Sequence, residues 1–147
     1  MAKSVLIVYH SQSGNTEAAA QAVAKGVRST PGVDCVVKVA RDADSEDLLA
    51  CDAVCVGTPD YFSYMAGMLK DFFDRTLYPT QGRVDDKPCA VFVTHGGGGK
   101  AVDSVEKICR SFRFKQSAES VLVRGGASGN SETELHELGA ALAMEIA

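Results

Sequence analysis

Three hydroxyls stand within six consecutive residues near the start of this chain, Ser11-Gln12-Ser13-Gly14-Asn15-Thr16, with the Asn15 amide among them and Gly14 to permit a tight turn. The chemistry open to such a group is capture of an anion by neutral donors. The loop carries no lysine or arginine. No Gly-x-x-x-x-Gly-Lys-Ser/Thr occurs anywhere in the chain, which excludes a nucleoside triphosphate P-loop. The spaced glycines of a dinucleotide fingerprint are absent from the loop as well. A single phosphate monoester is the ligand that it favours. The same residues would also make an ordinary strand-to-helix turn, with Ser13 or Asn15 capping the helix.

The flanking segments give the loop its meaning. Val5-Leu6-Ile7-Val8-Tyr9 is a continuous apolar, β-branched run, which predicts a buried parallel strand. Glu17-Ala18-Ala19-Ala20-Gln21-Ala22-Val23-Ala24 has high helix propensity. Backbone N–H groups converge at a helix start, and the helix dipole favours an anion there. Further strands are predicted at residues 33–39, 53–58, 89–94 and 120–124, with helices at 16–29, 66–77, 100–112 and 132–146. A short helical connection lies near 45–49, capped by Asp44 or Ser45. Val102, Val105, Cys109 and Phe112 form one apolar helical stripe. Leu135, Leu138, Leu142 and Ile146 form another, which the capping box Ser131-Glu132-Thr133-Glu134 would start. Five apolar strands alternating with helices predict an α/β fold, a parallel sheet covered on both faces.

Two segments resemble a known family. Ser11-Gln12-Ser13-Gly14-Asn15-Thr16 resembles the flavodoxin phosphate loop, Ser/Thr-x-Ser/Thr-Gly-Asn-Thr, in its expected place after strand one. Gly57-Thr58-Pro59-Asp60-Tyr61-Phe62-Ser63-Tyr64-Met65 and the following residues through Arg75 resemble the flavin-ring loop and helix of flavodoxin-like NAD(P)H:quinone reductases. The likeness extends over essentially the whole chain. It implies a flavodoxin-like five-stranded sheet of order 2-1-3-4-5, whose ligand crevice lies beyond the carboxyl ends of strands one and three. It also implies that the phosphate belongs to FMN.

On that basis the cofactor-binding candidates are Ser11, Gln12, Ser13, Gly14, Asn15 and Thr16, then Thr58, Pro59, Asp60, Tyr61 and Phe62, then His95, Gly96, Gly97 and Gly98. Pro59 would stiffen the ring loop, while Tyr61 and Phe62 would offer apolar faces to the isoalloxazine. The glycines after strand four would let the backbone approach the ring closely, or simply fill a flexible turn. His95 is the one candidate acid/base side chain in this region, able to assist proton delivery or to pair with backbone.

At 147 residues the chain has the length of one domain, residues 1–147, and its net charge of −4 supplies no basic field for nucleic acid. The longest apolar runs are strand-length, and Met1-Ala2-Lys3 leads directly into the first strand. Neither a membrane span nor a signal peptide is expected, and the expected location is the cytoplasm. Five cysteines form no Cys-x-x-Cys pair, and no metal site is expected. Cys35 and Arg41 have phosphatase-loop spacing, but the residues between them read as a strand, which cannot curl around a phosphate. A response-regulator receiver would need an aspartate ending strand three and a lysine ending strand five, where Gly57-Thr58 and Arg124 stand.

Two functions follow from the resemblance. One is an electron carrier between redox partner proteins; the other is an enzyme passing electrons from NAD(P)H to quinone through FMN. Ring loops of typical carriers hold a glycine, absent from Asp60-Tyr61-Phe62-Ser63, and often a stacking tyrosine after strand four, where Gly96-Gly97-Gly98 stands. Against the enzyme, Phe62-Ser63-Tyr64-Met65 departs from its usual Phe-Gly-Asn-Met, and the chain is carrier-sized. The carrier is the preferred expectation.

Overall fold

The computed structural model describes residues 2–147. Six strands, β1 (Lys3–Tyr9), β2 (Val33–Val39), β3 (Ala53–Pro59), β4 (Pro88–His95), β5 (Lys115–Gln116) and β6 (Val121–Arg124), form one sheet in which every strand pairing is parallel. Helices α1 (Asn15–Arg28), α2 (Ser45–Ala50), α3 (Gly67–Thr80), α4 (Ala101–Ser111) and α5 (Asn130–Ile146) connect and follow the strands. The order is β2-β1-β3-β4-β5, with β6 also on β4, as the flavodoxin-like expectation requires.

Period-two alternation sorts the strand side chains into two cores. Leu6, Val8, Val54, Val56, Val91 and Val93 face α2, α3 and α4, where Leu69, Phe72, Phe73, Val105 and Cys109 meet them. Val5, Ile7, Cys55, Ala90 and Phe92 face α1 and α5, against Ala19, Ala20, Val23, Val27, Leu135, Leu138 and Leu142. Both apolar helical stripes are thus used, with Val102 and Ile146 at their half-buried ends. Small residues bring α1 and α5 close together. A Cβ at Gly26 would strike the carbonyl of His136, and one at Gly139 would strike the carbonyl of Val23.

Several boundaries differ from the sequence expectation. The fifth strand position is divided: β5 pairs with Pro88 and Cys89, the chain leaves the sheet, and β6 rejoins opposite Phe92–His95. Glu106 pins the excursion, its Oε2 accepting from Ser120 Oγ (2.6 Å) and Gln116 Nε2 (3.2 Å). Helix α3 runs on through Pro79, and the Thr76 and Thr80 hydroxyls donate to the Phe72 and Thr76 carbonyls, each at 2.8 Å. The expected capping box at α5 does not form, because Ser131 Oγ is engaged with Ser128 and Gly129 is the N-cap. At α2 the Asp44 cap does form, reciprocally with Asp47.

All five cysteines are free thiols; Cys51, Cys55, Cys89 and Cys109 are buried and Cys35 is half-buried. Burial pushes the Cys51 thiol up to about 11 and that of Cys55 well above its ordinary value. Since alkylation needs an accessible sulfur as well as the thiolate, and only Cys35 is not fully buried, iodoacetamide at pH 8 is expected to label Cys35 in the native protein and all five cysteines in guanidinium. Mass spectrometry of the peptides reads this directly, and native labelling of Cys51 or Cys55 would contradict the packing described.

Candidate functional site

The carboxyl ends of β1, β3, β4 and β6 meet at one corner of the sheet. Their following loops enclose a crevice of about 210 Å³ lined by Gln12, Ser13, Asn15, Thr16, Pro59, Asp60, Tyr61, Thr94, His95, Gly96 and Gly125. Residues from all three sequence segments therefore meet. A larger concavity lies between α1 and α5, a groove of exposed side chains on Lys25, Glu132, Thr133, His136 and Glu137 that includes none of the sequence candidates.

The first wall is the loop from β1 into α1. Gly14 takes φ +102° and is the N-cap of α1, with no side-chain cap hydrogen bond, so neither Ser13 nor Asn15 caps the helix as the turn reading required. Ser11 Oγ instead accepts from Gly14 N (3.1 Å), curling the loop and leaving the Ser13 and Asn15 side chains on the crevice. Thr16 is buried, its hydroxyl 2.7 Å from that of Thr94 at the end of β4. One step along the helix, Glu17 accepts from the Tyr9 hydroxyl (3.4 Å); burial, and secondarily that carboxylate, raise the Tyr9 pKa.

The second wall is the loop from β3 into α3. Tyr61 and Tyr64 exchange backbone hydrogen bonds (2.9 and 3.0 Å) around Phe62 and Ser63, both at positive φ (57° and 63°), a two-residue turn of the primed type. The turn aims Phe62 into solvent, fully exposed, and keeps Tyr61 on the crevice, its hydroxyl donating to Gln12 Oε1 (2.8 Å). Thr58 is fully buried; its hydroxyl donates to Pro59 O and accepts from Ala66 N, so its side chain serves the loop and does not face the crevice.

The third wall follows β4. Gly96 lines the crevice, while Gly97 and Gly98 lie exposed beyond it. His95 packs over Gly99, and its Nδ1 is buried with no hydrogen-bond partner among the described residues. A buried ring nitrogen of this kind calls for a partner, either an ordered water or a bound molecule. The described residues hold no cluster that could bind a metal ion, and no helix is long and apolar enough to cross a membrane.

A model of the family described as "Flavodoxin" matches residues 7–139. The chain belongs to the flavodoxin family. A flavodoxin of Aquifex aeolicus is 36% identical over 95 residues, covering 65% of this chain and 51% of the relative. An NAD(P)H dehydrogenase (quinone) of Acidithiobacillus ferrooxidans is 33% identical over 118 residues, covering 63% of this chain and 59% of the relative. The chain thus spans little more than half the length of these curated relatives. Among solved structures, a flavodoxin from the domain Archaea superposes with a TM-score of 0.89 at 25% identity, covering 97% of this chain and 98% of that one. A Streptococcus pneumonia TIGR4 flavodoxin gives 0.85 at 26% identity, covering 97% and 99%.

Of the residues that line the crevice, those of the first loop and His95 are among the sequence candidates, whereas Thr94 and Gly125 are not. Thr94 reads as the last residue of an apolar strand. Gly125 is brought in by topology alone: its N–H donates to His95 O (2.9 Å), continuing the pairing of β6 with β4. The next residue, Gly126, lies against Asn15, where a Cβ would stand 3.3 Å from Oδ1. Ser11 and His10 line a separate hollow with Val39, Arg41 and Met68.

Proposed function

We propose that this chain is an FMN-binding redox protein that carries electrons between redox partners. The observation that carries the proposal is the donor set of the crevice. Neutral hydroxyls and an amide stand at the start of α1 without capping it, and His95, whose buried Nδ1 has no partner among the described residues, lines the same space. That combination fits a phosphate at one end and a flat polar ring at the other. Ser13, Asn15 and Thr16, with the first N–H groups of α1, would hold the phosphate; Pro59, Asp60 and Tyr61 would border the ring on one side, His95 and Gly96 on the other. When bound, FMN supplies an isoalloxazine that accepts and releases electrons. The protein's part is to bind it, orient it and limit water around it. With no cation in the crevice wall, the phosphate charge is balanced by N–H and O–H dipoles alone.

Two readings of electron flow differ in partner. The glycines at 96–98 leave that side of the crevice without an aromatic cover. This feature, with the quinone-dehydrogenase relative, favours direct access by NAD(P)H and quinone. The carrier is the primary reading, in the cytoplasm, where free thiols such as these persist. The test is titration of FMN with the protein by fluorescence quenching, followed by an NAD(P)H–quinone turnover assay on the loaded protein. Quenching at one equivalent without turnover is the expected result. Rapid turnover would replace the carrier by the reductase, and no quenching at all would end both readings.

A further inference from the structure

Asp60 is the one formally charged side chain in the crevice wall, apart from the titratable His95. Its N–H and both carboxylate oxygens are engaged. Its N–H donates to Thr94 O (2.9 Å), extending the β3–β4 pairing by one residue. Oδ1 accepts from Ser63 N (2.8 Å) inside the turn that aims Phe62 outward. Oδ2 accepts from Ala101 N (3.2 Å), the first helical N–H of α4, whose own N-cap residue Lys100 offers no side-chain cap. A carboxylate from another loop therefore caps α4, where the helix dipole favours negative charge.

We propose that Asp60 is a positioning residue that clamps the β3–α3 loop to the start of α4, so that both sides of the ring end move as one body, and that its charge disfavours negative charge on the molecule held there. The clamp stands on geometry alone; the charge effect rests on the FMN reading above. Two of the three bonds need oxygen acceptors. Asp60→Asn keeps one acceptor and loses the charge, whereas Asp60→Glu keeps the charge and displaces it by one methylene.

Hydrogen exchange on the protein without added FMN tests the clamp. In Asp60→Ala the Ser63 and Ala101 amides are expected to lose protection together, by roughly tenfold or more; a change at only one of them, or at neither, overturns the clamp. Binding of oxidised and dithionite-reduced FMN tests the charge. Asp60→Asn is expected to shift the ratio of the two affinities toward reduced FMN by roughly tenfold, while Asp60→Glu weakens both forms alike and leaves the ratio unchanged. An unchanged ratio in Asp60→Asn overturns the charge effect. Failure of the unaltered protein to bind FMN overturns the proposed function and the charge effect together, and the exchange result then judges the clamp alone.

Discussion

Gly139→Val is expected to remove roughly 3 kcal/mol of stability, a large share of the roughly 5–15 kcal/mol that is usual for a domain. The added Cβ would fall on the carbonyl of Val23 and beside the Val27 amide, and Gly26 meets the His136 carbonyl in the reciprocal position. Helix backbones cannot yield locally as side chains do, so α1 and α5 must separate. Separation opens the core in which Ala19, Ala20, Val23 and Val27 meet Leu135, Leu138 and Leu142. Even Gly139→Ala is expected to destabilise, although helix propensity alone favours alanine by about 1 kcal/mol. Gly67→Ala, at the start of α3 where nothing lies within 4 Å of the new Cβ, is the control and should be near neutral or stabilising. Urea denaturation midpoints of the three variants decide the matter.

Thr16→Val carries the second large effect. It strands the buried Thr94 hydroxyl, whose partner was the Thr16 hydroxyl at 2.7 Å, at a cost of about 1–3 kcal/mol. FMN affinity is expected to fall at least tenfold, equivalent to about 1.4 kcal/mol, since the first turn of α1 loses both a donor and its tie to β4. Thr16→Val with Thr94→Val separates the two consequences. Replacing both partners should restore most of the stability, because neither hydroxyl is then left unpaired, but it should not restore FMN affinity. Recovery of both together would mean that the pair is structural only.

Much of this was legible in the sequence, because buried parallel strands announce themselves as unbroken apolar runs. Residues 5–9 and 89–94 fall inside β1 and β4, and the strand order follows. Helix caps were less legible. Ser13, Asn15 and the 131–134 box have the right composition, yet Gly14 and Gly129 hold the N-cap positions, because the conformation of the entering loop decides which residue occupies the cap. The outward Phe62 was not legible either. Its direction follows from a turn stabilised by Asp60 and by reciprocal bonds between Tyr61 and Tyr64, against the ordinary preference of bulky residues for negative φ. The division of the last strand depends on Glu106, a surface residue of a neighbouring helix, which no local pattern in 115–124 reports.

Each border of the crevice belongs to a different strand end, and residues as far apart in the chain as Gln12 and Gly125 share it. No fragment from either half of the sequence can therefore assemble the pocket, and loop-closure entropy must be overcome before it exists. Cofactor capture would then come late in folding and report on it. Yellow colour retained through purification would mark a chain whose first and last strands had both found their places.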